Sequence, residues 1–187
     1  ISLLERKQQI AADIPETWPL CDTRKIARQR VVVVATHPHD CTLTCGGAIA
    51  LMQARGYDVR VLIVSDGSRS HPNSRKYTPL ALQLLQERET IAAMQILGVS
   101  RSAITFLGIK EGSVPTFGAA HFPSVKASCQ MYIRQFLPDT IFLPWREDSD
   151  RDRRGTSVAQ GVGVKSGTPG TRSARIRRPH GRAPPWC

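Results

Sequence analysis

Residues 31–47 read Val31-Val32-Val33-Val34-Ala35-Thr36-His37-Pro38-His39-Asp40-Cys41-Thr42-Leu43-Thr44-Cys45-Gly46-Gly47, and the reading of this stretch decides the fold. The valine run has no polar alternation. That pattern predicts a strand buried on both faces, as in a parallel sheet, rather than one with a wet side. A polar loop, Thr36–Thr44, leaves it. Gly46-Gly47 is expected to open a helix running to about Arg55, with Gly56 as its stop signal.

Outward from that point, strand and helix alternate. Val59–Val64 predicts a second strand. Thr78-Pro79 opens a long helical pattern that ends at Leu97-Gly98, with Leu82, Leu85, Ile91, Met94 and Leu97 at helical spacings. Ala103–Leu107 predicts a third strand, Ser124–Leu137 a helix and Thr140–Pro144 a fourth strand. Close alternation of this kind predicts a Rossmann-like α/β fold: a doubly wound, mostly parallel sheet with helices on both faces, in three layers. Such sheets hold ligands beyond the carboxyl ends of their strands. The loops 36–44, 65–77 and 144–154 are therefore where chemistry is expected. Residues 1–29 read as a short amphipathic helix over 2–12 and a linker, residues 30–160 as the domain, and residues 161–187 as a tail.

The chain has 187 residues, 41% of them apolar, enough for the core of one domain. No run of about 18 apolar residues is present, so no membrane-spanning helix is expected. The net charge of +11 is unevenly placed. Residues 151–187 hold nine Lys or Arg against the single acid Asp152, which leaves +3 for residues 1–150. The basicity belongs to the end, so no specific nucleic-acid surface is expected on the domain; a basic arm for nucleic acid is the alternative. Residues 161–187 combine Gly, Pro, Ser and Lys/Arg with no acid and no apolar period, and are expected to lack fixed structure. The change is of the kind a shifted reading frame produces, and the C-terminal part of the domain reads as missing. Five cysteines without a CxxC pair argue against a disulfide framework and for a reducing cytoplasm.

The loop after the valine strand carries the chemistry. His37 and Asp40 offer a neutral imidazole and a hard carboxylate, both good zinc ligands. Pro38 stiffens the turn between them. Gly46-Gly47 at a helix start would present free N–H groups to an anion.

This segment resembles the metal-dependent deacetylases related to N-acetylglucosaminyl-phosphatidylinositol de-N-acetylase, the PIG-L or LmbE-like family. That family has an apolar strand ending in His-Pro-Asp-Asp-Glu and then Cys-Gly-Gly before a helix. The likeness continues through Ser65-Asp66-Gly67, Ser70-His71-Pro72-Asn73-Ser74-Arg75, Ile96-Leu97-Gly98-Val99 and Phe142-Leu143-Pro144-Trp145-Arg146. It implies removal of acetyl from an N-acetyl amino sugar or related amide by zinc-activated water. It also implies His37 and Asp40 as zinc ligands, His39 at the place of the general base, and Asp150 at the place of the histidine that steadies the oxyanion. Asp66, Gly67, His71 and Arg75 are the expected substrate contacts, and the expected partner is a small acetylated sugar or amide.

Several positions depart from the family pattern. Cys41 stands where the family has Glu, His39 where it has Asp, and Arg153 where it has the third zinc ligand. A guanidinium has no acceptor and keeps its charge. His39 or Asp150 would have to complete a zinc site, and His39, with an ordinary pKa near ~6.5, suits a base. The alternative reading is a relative that binds a sugar-like ligand without turnover.

Overall fold

The structure is a computed structural model that describes residues 22, 24, 27–146, 148–161 and 172–176. Its centre is β1 (Arg30–Ala35), with Val31 to Ala35 all buried. Then follow α1 (Asp40–Ala54), β2 (Asp58–Ser65), α2 (Pro79–Ile96), a 3-10 turn at Arg101–Ala103, β3 (Ile104–Ile109), α3 (Phe122–Phe136), β4 (Thr140–Pro144), α4 (Arg151–Gly161) and β5 (Arg172–Ile176). The sheet order is β3-β2-β1-β4-β5 and every pairing is parallel.

Alternate residues of β1 serve opposite faces, as the period of a strand requires. Val31, Val33 and Ala35 pack with Cys45, Ile49 and Met52 of α1 and Met94 of α2. Val32 and Val34 pack with Phe122, Val125 and Cys129 of α3. Full burial of such a side chain is worth about 1.5–3 kcal/mol, which is why an unbroken valine run selects a strand covered on both sides. The result is the expected three-layer, doubly wound α/β sheet.

Helix and strand limits follow local signals in most places. Thr78 caps α2 by accepting from the Ala81 N–H at 3.2 Å, with Pro79 in the first turn. Gly98, at φ +90°, lets the chain turn out of that helix. The first helix differs from expectation. It begins at Asp40, so Gly46 and Gly47 lie inside it and present no free N–H groups to an anion. Burial explains the earlier start, because Cys41, Cys45, Ile49 and Met52 fall on one face against the sheet. Gly46 has its own use there, since a Cβ would sit 3.4 Å from Leu97 Cδ1 where the two helices meet.

Two further differences lie at the C-terminal end. The loop expected over 144–154 turns into α4 at Arg151. Within the segment expected to lack structure, residues 172–176 form β5 in parallel register with all of β4. The open edge of β4 is a backbone template that accepts a strand whatever its side chains. The rest of 161–187 and the helix expected over 2–12 lie outside the described residues. Among the described residues no helix is long and apolar enough to cross a membrane.

The chain runs from β1 to one side of the sheet and later returns to its other side at β4. The carboxyl ends of β1 and β4 are therefore the switch point, where a crevice must open. The loop 36–40 and the start of α4 meet there.

Candidate functional site

His37 leaves the end of β1 with 5% of its surface exposed. Its Nδ1 lies 3.0 Å from Ser65 Oγ, at the end of β2, and 3.6 Å from Glu111 Oε1, in the loop after β3. Its Nε2 lies 3.4 Å from Asp150 Oδ2. His39 stacks on it, ring planes 8° apart and centroids 5.9 Å apart, with Nε2 3.7 Å from Asp40 Oδ1. Three strand ends thus converge on one imidazole.

Asp40 is buried at the start of α1, and Arg153 lies across it. Arg153 Nη2 donates to Asp40 Oδ1 at 2.7 Å, and Nε donates to Oδ2 at 3.1 Å. The His37 N–H also donates to Oδ2, at 3.1 Å. Burial would raise the carboxyl pKa, but the Arg153 hydrogen bonds and charge outweigh it, so Asp40 is held below the usual carboxylate range. The same pair acts in reverse on Arg153, where the carboxylate overcomes burial and raises the guanidinium pKa. Arg153 Nη1 lies 3.7 Å from Asp148 Oδ1 and 4.0 Å from Asp150 Oδ2.

Asp150 has two duties. Its Oδ1 accepts from the Arg153 N–H at 3.0 Å, which caps α4 at its third residue. Its Oδ2 faces His37. Burial pushes its pKa up, but the cap bond and the charges of His37 and Arg153 bring it below normal. Asp152, the second residue of α4, accepts from the Gly112 N–H at 2.6 Å and fastens α4 to the loop after β3.

Two hollows flank the stacked imidazoles. A cleft of about 270 Å³ is lined by His37, Arg69, Glu111, Gly112 and the run Asp150–Asp152. A larger trench of about 810 Å³ runs from His39 between α1 and α2, past Leu43, His71, Tyr77 and Leu85. The cleft holds the polar groups of the strand ends. The trench has a largely apolar floor.

The expected substrate contacts divide. His71 lines the trench, exposed, with Nδ1 3.2 Å from Ser70 Oγ. Arg75 is exposed and lines neither hollow. Asp66 is a bracket between loops: its Oδ1 accepts from the N–H groups of Ser68 and Glu111, both at 2.9 Å. Gly67 is required by its φ of +68°, and a Cβ there would collide with the Gln86 side chain. Neither Asp66 nor Gly67 lines the cleft or the trench; both shape the loop between them. Glu111 was missed by sequence reasoning. The rule that ligands gather at carboxyl strand ends pointed to the loop after β3, but no local motif marks it.

The thiols offer no chemistry. Burial raises Cys41 to about 11 and Cys45 to about 12, which keeps both protonated. They donate to the carbonyls of Pro38 and Cys41.

The expected zinc pair does not fit a divalent ion as arranged. Both Asp40 oxygens are held by the Arg153 fork, and a fixed positive charge stands beside them. The His37 nitrogens face Ser65 and Asp150 instead. Neither His39 nor Asp150 completes a set: among the described residues no three His, Cys, Asp or Glu side chains are grouped to hold a metal. As arranged, His37 and Asp40 do not present the open donor pair that the resemblance implies for zinc.

Known proteins place the chain among relatives. A diacetylchitobiose deacetylase of Thermococcus kodakarensis is 27% identical over 120 residues, covering 62% of this chain and 40% of its own length. A 1D-myo-inositol 2-acetamido-2-deoxy-alpha-D-glucopyranoside deacetylase of Mycobacterium sp. (strain KMS) is 38% identical over 85 residues, covering 42% of this chain and 27% of its own length. The chain thus spans well under half the length of these curated relatives. The solved N,N'-diacetylchitobiose deacetylase of Pyrococcus horikoshii shares the fold, with a TM-score of 0.64 and 21% identity over 85% of this chain and 57% of that one. The family described as PIG-L, GlcNAc-PI de-N-acetylase, matches residues 32–160. That match covers more than half of the chain, and the chain belongs to the PIG-L family.

Proposed function

We propose that this chain binds an N-acetylated amino sugar, or a related amide, in the cleft at the ends of β1 and β3 and the start of α4, without metal-assisted turnover. The observation that carries the reading is the pairing of Arg153 with Asp40. It leaves a polar cleft open while closing the carboxylate that would serve an ion.

The cleft suits such a ligand. Its volume of about 270 Å³ is near the lower end of the ~300–1,000 Å³ usual for small-molecule sites. The carboxylates of Glu111 and Asp150 accept from sugar hydroxyls or an amide N–H. The ring nitrogens of His37, set between them, offer a donor to an acyl or hydroxyl oxygen. The family and the deacetylase relatives supply the ligand class. Hydrolysis by an activated water would require Asp40 to give up Arg153, and the present arrangement supports recognition alone.

Titration calorimetry with N-acetylglucosamine and diacetylchitobiose, alongside an acetate-release assay, tests the reading. Saturable binding is expected, weakened at least tenfold by H37A and by D150N and unchanged by R75A, with no acetate above background. Multiple-turnover acetate release, or no binding by the intact chain, contradicts it.

A further inference from the structure

Three carboxylates stand round the Arg153 guanidinium. Its Nε and Nη2 take both oxygens of Asp40, and its Nη1 lies 3.7 Å from Asp148 and 4.0 Å from Asp150. One guanidinium therefore faces three carboxylates. We propose that Arg153 is the resident cation of this site: it supplies the positive charge that Asp40, Asp148 and Asp150 face, so that the cleft is assembled without metal.

Four features make the arrangement self-sufficient. The planar fork of arginine matches a carboxylate in two-point contact, which a lysine cannot do. Its charge does not titrate away, so the positive centre is permanent. Its root is fixed, because the Arg153 N–H is tied to Asp150 Oδ1 at the cap of α4. With side-chain exposures of 12% for Arg153 and 7% for Asp40, the pair is shielded from competing water and salt.

Arg153 is a positioning residue. It acts on the cleft through Asp40, whose Oδ2 also holds the His37 N–H at 3.1 Å and so sets where the imidazole leaves the strand. A divalent ion entering at Asp40 would meet a fixed like charge and would have to expel it. Replacing the guanidinium opens the carboxylates to a cation.

The inference rests on the binding reading above for what occupies the cleft, but its test does not. Zinc sulfate is titrated into the full chain and into R153H, R153M and R153K, followed by calorimetry and by thermal unfolding with and without EDTA. The wild-type Tm is expected to be indifferent to zinc and to EDTA. R153H is expected to bind zinc at least 100-fold more tightly than wild type. R153M is expected to unfold at lower temperature and to be raised by zinc, whereas R153K keeps zinc out. A merely structural role for Arg153 would lower the Tm of R153M without making it zinc-dependent. A wild-type chain that holds one zinc and loses Tm on chelation overturns the proposal, and so does failure of both R153H and R153M to gain zinc affinity. Should either variant fail to fold, the wild-type titration still decides. Absence of N-acetylglucosamine binding in EDTA, with zinc still excluded, overturns the ligand reading and not this one.

Discussion

Arg153 and Asp40, 113 residues apart in sequence, meet in a two-point ion pair of 2.7 and 3.1 Å that fastens the start of α4 to the start of α1. Breaking a buried pair by removing one partner leaves the other charge uncompensated, at a cost of about 3–5 kcal/mol. D40N is expected to show a smaller loss in urea unfolding, because Asp148 at 3.7 Å and Asp150 at 4.0 Å still face the guanidinium. Replacing both partners by apolar residues, in D40L/R153M, is expected to cost less than the sum of the single changes, because no charge is stranded. Additive losses would mean that the two side chains do not interact in solution.

Asp66, an expected substrate contact, ties two loops through one oxygen. D66A strands two N–H groups and is expected to cost about 2–3 kcal/mol. D66N, which keeps an acceptor oxygen, is expected to cost much less and to leave sugar binding unchanged. Hydrogen exchange at Ser68 and Glu111 would show the loosening in D66A.

Two glycines inside helices predict opposite responses to alanine. Nothing lies within 4 Å of a Cβ at Gly47, so G47A is expected to stabilise the chain by about 0.5–1 kcal/mol. At Gly155 a Cβ would stand 2.8 Å from the Pro115 carbonyl oxygen and 3.1 Å from Val114 Cγ1. Overpacking against backbone costs about 1–3 kcal/mol, so G155A is expected to be net destabilising. Thermal unfolding of the two variants checks the contrast.

The foot of the sheet sets an acid response. Arg30 at the start of β1 donates to Asp139 through its backbone N–H, Nε and Nη2, at 3.1 to 3.3 Å. The side-chain hydrogen bonds from Arg30 hold the Asp139 carboxyl below its usual range, with burial opposing. A carboxyl lowered on folding adds stability above its unfolded pKa of about 3.9, lost as pH falls through the folded value. The stability gap between wild type and D139N is therefore expected near neutral pH and to close in acid. A gap that widens in acid would contradict the assignment.

Legibility in the sequence followed the range of the interactions. The valine run Val31–Val34 announced a doubly covered strand, because burial on both faces is written in consecutive residues. The end of the second long helix was legible for the same reason, through Gly98. The start of α1 was not: His37-Pro38-His39-Asp40 looks like a loop, and only the spacing of Cys41, Cys45, Ile49 and Met52 shows the earlier helix. In the site, the oddity of Arg153 was plain from the chain alone, but its partner was not, since a contact across 113 residues has no local mark. Glu111 was invisible for that reason too. β5 pairs through backbone groups, which composition does not reveal.

On the proposed reading a guanidinium supplies the positive charge at Asp40, beside a cleft that still binds a sugar. The most direct measurement is a crystal structure of the wild-type chain after prolonged exposure to zinc, with diffraction recorded at the zinc absorption edge. The expected map shows the Arg153–Asp40 pair intact and no anomalous peak within bonding distance of Asp40 or His37. An anomalous peak on Asp40, with Arg153 swung away from it, would contradict the account.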